Sequence, residues 1–208
     1  MAELNQKSFL VKHEPLERLF ALDFRLSGRP NYSELTSIGL GTVGGPTLLN
    51  NFYRDTPANA GVFAWTGGDQ EHFCLLAIEG IICEDSPVIY TRPMAYENVI
   101  VGSDLIDFLR LGMHTGFTEL LKDGYQDERH ASGRYGADLS EEQRNLLEIL
   151  AKEFSLTPWK PDGGKRMRAL QKIRRQFTWE DHDAREMYDR ELSDEEMNWI
   201  APPARSAT

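Results

Sequence analysis

Between Gly61 and Val101 the chain reads VFAW, HFCLLAI, PVIYT and NVIV, four short runs of β-branched and aromatic residues divided by Gly, Asp, Asn and Pro signals. Runs of this kind fit a pleated, buried surface, and their interruptions are turn chemistry, so the stretch predicts an antiparallel sheet. Apolar stripes at helical spacing surround it. Leu16, Leu19, Phe20 and Phe24, after Pro15 and before Gly28-Arg29-Pro30, predict a helix over 14–26. Leu105, Ile106, Phe108, Leu109 and Leu111 predict a second, capped by Ser103 and stopped by Gly112. Ser140 and Gln143 form a capping box ahead of Leu146, Leu147, Leu150, Ala151 and Phe154. Met167, Leu170, Ile173 and Phe177 mark a further, basic helix, and Ser193 with Glu196 suits a last short turn. Residues 31–59 read as loop with short pieces of structure, most flexible at GLGTVGGP (39–46). The expectation is an α+β fold, a central antiparallel sheet backed by helices, with a helical C-terminal extension. The division expected is a domain over 1–160, then over 161–208 a basic helix followed by an acidic tail, partly disordered or docked.

Charge narrows the partners. The formal net charge of −10 over 208 residues argues against general nucleic-acid affinity, which needs clustered Lys and Arg, and suits a cationic partner better. It is unevenly spread: residues 160–177 hold seven Lys/Arg against one acid, whereas 178–208 hold nine Asp/Glu against three Arg. No run of eighteen apolar residues occurs and the N-terminus has no sustained apolar core, so neither export nor a membrane span is expected, and the reading is a cytoplasmic protein. Cys74 and Cys83 are too few for a disulfide framework and sit in apolar text, as buried reduced thiols do.

The stretch WTGGDQEHFCLL, residues 65–76, carries the densest chemistry. A phosphate loop would lead from a strand into a helix N-terminus and would not add acids; this one leads into a strand and carries Asp69 and Glu71. Asp69, Glu71 and His72 together suggest a metal-assisted hydrolase, because carboxylates and imidazole hold divalent ions or relay protons. The other histidines, His13, His114, His130 and His182, show no helical i, i+4 pairing with one another, no G-x-S-x-G is present, and neither cysteine has a basic neighbour, so no catalytic set, metal site or cofactor is expected. Gly67 and Gly68 have a simpler use: both supply positive φ in a hairpin turn between VFAW and HFCLLAI. That turn exposes Asp69, Gln70 and Glu71 at one end of the sheet. Glu84 and Asp85 stand at a later turn, at the other end if successive strands pair as hairpins. These five residues are the candidate partner-binding set.

GVFAWTGGDQEHFCLLAIEG, followed by SPVIYTRP and VIVGSDLIDFLRLG, resembles the SMI1/KNR4 (SUKH) superfamily in its strand, Gly-Gly-Asp turn, second strand with an aromatic after the turn, Pro-Val strand and following helix. LLEILAKEFSLTPWKP is similar to a helix-and-Trp extension of some bacterial members. The N-terminal helix lacks the family's usual entry motif, and GLGTVGGPTLL has no counterpart. The resemblance implies an α+β, non-enzymatic protein-binding module, commonly an immunity protein that neutralises a toxin domain, or else a regulatory adaptor. An acidic protein of this kind would be steered to a cationic toxin.

Overall fold

The computed structural model describes residues 8–29, 32–44, 47–50, 55–68, 70–113, 115–118, 120, 139–159, 163–179 and 182–188. Its strands are β1 (Ser8–Lys12), β2 (Gly41–Thr42), β3 (Thr47–Leu49), β4 (Ala60–Trp65), β5 (His72–Leu76), β6 (Ile81–Cys83), β7 (Val88–Arg92) and β8 (Glu97–Gly102). The α-helices are α1 (Glu14–Ser27), α2 (Leu105–Gly112), α3 (Glu141–Phe154), α4 (Gly163–Leu170) and α5 (His182–Tyr188), with short 3-10 helices at Glu34–Ile38, Pro93–Ala95 and Gln171–Gln176. The strands form one sheet in the order β6-β1-β3-β4-β5-β7-β8, with β2 pairing the end of β4. The fold is α+β, and every strand pair is antiparallel except β1 with β6.

That parallel pair dictates the shape. Five residues lead from Leu76 to Ile81, and the Ile78–Ile81 backbone bonds of 2.9 and 3.0 Å close a turn in which Glu79 (φ 51°) and Gly80 (φ 83°) are both left-handed. In a flat sheet β5 and β6 would lie four strand spacings apart, about 19 Å. Five extended residues reach only about 17 Å, and a reversed segment reaches less. The sheet therefore curls until β6 comes over its own inner face. Gly61 on β4 marks the contact: a Cβ there would lie 2.8 Å from Ile82 Cδ1, 2.8 Å from Leu48 Cβ and 3.3 Å from Phe9 Cδ2.

The inner face is the aromatic core. Phe73 on β5 stacks on Tyr90 of β7 at 4.9 Å and meets Phe108 of α2 at 4.8 Å, while Phe108 and Phe117 lie 4.9 Å apart. Leu16, Leu19 and Leu22 of α1 join the same buried cluster. The α1 start is set by His13, whose Nδ1 accepts the Leu16 N–H at 3.2 Å, and its stop by Gly28 in left-handed conformation. At α2 the capping side chain is Asp104, not the expected Ser103; the Asp104 carboxylate accepts from Asp107 N at 2.7 Å, the stronger charge-assisted form of the same bond. The Ser140–Gln143 capping box opens α3 with both of its bonds formed.

The outer face is covered over only part of its width. On β5, β7 and β8 it carries His72, Cys74, Ile89, Thr91, Asn98 and Ile100, all fully buried. Residues 55–59 and the C-terminal extension lie over them. Thr178 O accepts from Ala58 N at 2.6 Å, and Asn59 bonds both Gln176 O and Thr178 N at 2.9 Å. Met167, Leu170 and Phe177, beyond the division expected at 160, belong to the same core as the sheet. On β1 and β3 the outer positions Leu10 and Leu49 are exposed. Cys83 is half-buried, not buried as expected, and both cysteines are free thiols. The polar stretch at 122–138 and the acidic tail beyond Tyr188, with the turn expected at Ser193, lie outside the described residues.

Candidate functional site

The segment between β4 and β5 is a hairpin connection: Trp65 pairs with His72, Thr66 N donates to Glu71 O at 3.1 Å, and Glu71 N donates to Gly68 O at 3.0 Å. Its left-handed residues are Gly67 (φ 93°) and Gln70 (φ 61°). The expectation that Gly68 also takes positive φ is corrected: its φ is ordinary, and a Cβ there would meet nothing within 4 Å. The second left-handed position fell on Gln70, which no residue type advertises. Gln70 is exposed; Asp69 lies outside the described residues.

Glu71 is not a free surface acid. It accepts from the Tyr90 hydroxyl and from Arg92 Nε at 3.2 Å, and Arg92 Nη1 donates to Glu97 at 2.8 Å. All three charged side chains are at least three-quarters buried. Burial works against the Arg92 cation, but Glu97 and Glu71 outweigh it and raise its pKa. The clamp fixes the β4–β5 turn to the hairpin of β7 and β8, where Arg92 stands opposite Glu97. Above it the β7–β8 connection turns through Tyr96 at φ 54° and holds Met94 at 80% and Tyr96 at 52% exposure. Sequence reasoning missed Tyr90, Arg92, Met94, Tyr96 and Glu97. The signal was present in TRPMAYEN, because reading it as a hairpin puts Arg92 across from Glu97.

Glu84 and Asp85 are both exposed, in the connection from β6 to β7. Since β5 and β7 are antiparallel with His72 opposite Thr91 and Leu75 opposite Val88, this connection lies at the far end of the sheet from Gln70 and Glu71. The five candidates thus form no single patch.

His72 faces away from Glu71, as strand alternation requires. It is fully buried, with Nδ1 2.8 Å from Gln70 O and Nε2 2.9 Å from Thr56 Oγ1. Nδ1 therefore carries the proton and Nε2 accepts, and burial pushes the pKa down to about 4 despite the Gln70 carbonyl. The structure does not bring Glu71 and His72 together as ligands of one ion. Among the described residues no three His, Cys, Asp or Glu side chains group as a metal site would require. Asp55 is the less comfortable neighbour: it is buried, its Oδ2 has no hydrogen-bond partner, and burial raises its pKa to about 6. Its own carbonyl accepts from Asn98 Nδ2 at 2.7 Å, and Asn98 accepts from Thr91 at 2.8 Å. Burial also pushes the Cys74 thiol up, which keeps it protonated and inert as a nucleophile.

No protein-family model, curated protein or solved structure matches this chain. No helix among the described residues is long and apolar enough to cross a membrane.

Proposed function

We propose that this chain is a non-enzymatic protein-binding module of the SMI1/KNR4 type, acting in the cytoplasm as an immunity protein against a toxin domain or as a related regulatory adaptor. One observation carries the reading: Met94 and Tyr96 stand exposed beside Gln70 on a sheet end whose backbone is fastened by the Glu71–Arg92–Glu97 clamp. Met and Tyr are enriched at interface cores, and a rigid base lets them bind with little ordering cost. The net charge of −10 favours a cationic partner and speeds its approach. Mechanistically, such a module occludes its partner's working surface and catalyses nothing.

The test is purification of the tagged protein from its own host, beside a Met94→Ala/Tyr96→Ala variant with the same thermal midpoint. The expected result is a stoichiometric protein partner, encoded by a neighbouring gene, that the wild type retains and the variant loses. Equal recovery by both proteins, or none by the wild type, overturns the assignment of this surface.

A further inference from the structure

An open sheet has two edges, and here they are treated differently. β6 is three residues long and flanked by Glu79, Glu84 and Asp85, and shortness and charge are the usual protections of an edge. β8 is six residues long and has neither protection over Asn98–Gly102: the segment NVIVG holds no charge and no proline and three β-branched residues. That is the composition that pairs with other chains when left open.

A side chain occupies this edge instead. Gln171, which opens the 3-10 helix after α4, lays its amide beside Ile100: Oε1 accepts the Ile100 N–H at 3.1 Å and Nε2 donates to the Ile100 carbonyl at 2.8 Å. A primary amide presents a donor and an acceptor side by side, as the backbone of a neighbouring strand would. Nε2 also donates to Met167 O at 3.0 Å, which ties the amide to the helix behind it. The segment carrying Gln171 is fastened on both sides. Asp107 holds Trp159 Nε1 at 3.1 Å and pairs with Arg166, and Asn59 holds Thr178. Between these two attachments, the Gln171 amide is the contact that holds the segment to the β8 backbone.

We propose that Gln171 is an edge guard, and that its amide is what keeps β8 from pairing with β8 of a second copy of this chain. A second copy is the natural occupant, because antiparallel pairing about a two-fold axis sets the uncharged segment against itself with no unmatched charge.

Gln171→Leu removes both bonds at nearly constant volume; Gln171→Glu keeps the acceptor and adds a charge that repels another edge. Sedimentation velocity over a concentration series and amide exchange read the result. The leucine variant is expected to self-associate beyond the wild type, with Ile100 amide exchange about tenfold faster at low concentration, the size of one lost hydrogen bond. The glutamate variant is expected to keep the wild-type state. A leucine variant that stays in the wild-type state overturns the proposal, as does equal self-association of both variants. Should neither variant fold, exchange in the wild type decides: an Ile100 amide as protected as that of Cys74 supports the guard, and fast exchange at Ile100 overturns it.

Discussion

His72 and Asp55 oppose each other across pH. Each titrating side chain is buried in its less costly form at one end of the range and must be held there at the other. The Asp55 carboxyl rises from 3.8 to about 6 on folding, so the native state binds its proton more tightly, and stability is lost as pH climbs from about 4 through 6. His72 falls from 6.5 to about 4, so stability is lost as pH drops through that same interval. Each swing is about 3 kcal/mol, and the two nearly cancel. His13, whose pKa burial also lowers, adds to the His72 side, so wild-type urea midpoints should fall only modestly toward acid between pH 6.5 and 4.5. Asp55→Asn should make stability fall toward acid, and His72→Gln should make it rise; identical slopes in all three proteins would refute the opposition. A second residue-scale prediction separates the acids that sequence alone could not distinguish. Glu71→Lys strips Tyr90 and Arg92 of a partner and sets like charges together, and should cost roughly 1–3 kcal/mol in denaturation. Glu84→Lys, on an exposed turn, should change the midpoint little. Nothing in GGDQEH tells that the Glu71 side chain is engaged while Gln70 is exposed, because the difference comes from Tyr90 and Arg92, nineteen and twenty-one residues away.

At the scale of elements, local signals were legible and lateral ones were not. The periodicity over 14–26 corresponds to α1, and the four β-rich runs correspond to β4, β5, β7 and β8. Local hydrogen-bond chemistry and one-face burial write those patterns directly into a short window. By contrast β1, β2, β3 and β6 are two to five residues long and owe their existence to partners 13 to 71 positions distant. SFLVK does alternate, with Phe9 inward and Leu10 outward, but five residues next to a helix start carry too little pattern to stand out. Gly61 was the overlooked cue, a glycine inside a strand where a backbone passes closely. Gly61→Ala should force β3 or β6 outward and destabilise the protein by about 1–3 kcal/mol, since Leu48 Cβ is too near the backbone to swing aside. Calorimetry that finds the variant as stable as the wild type would mean the curl has slack at this point.

Across the whole molecule, the extension that reads as an appendage is the second layer of the sheet. The change from apolar periodicity to dense charge after Lys160 is real in the sequence, yet Met167 is fully buried and Trp159 Nε1 reaches the Asp107 carbonyl at 2.9 Å. Charge on the outward side of a short helix hides how much its inward side covers. Asp107→Ala removes the acceptor shared by Ser103, Trp159 and Arg166, and should cost roughly 2–3 kcal/mol while leaving one cooperative transition. Two separate transitions in that variant, one for residues 163–178, would make the extension a unit of its own.

The parallel seam between β1 and β6 also sets a timetable. On the ribosome residues 8–12 emerge before both of their neighbours: the strand that flanks them on one side ends at Leu49 and the one on the other at Cys83. The first strand of the sheet therefore meets one neighbour only after about forty more residues and stays open on its other side until about seventy have been made, and the outer layer is sealed only when Thr178 reaches Ala58. Pairing over such separations is slow, because loops must close before the contacts that reward them form. Newborn chains should spend that interval with the hydrophobic segment FLV uncovered, and a stall during translation between Leu49 and Cys83 should be the point at which nascent chains recruit a chaperone.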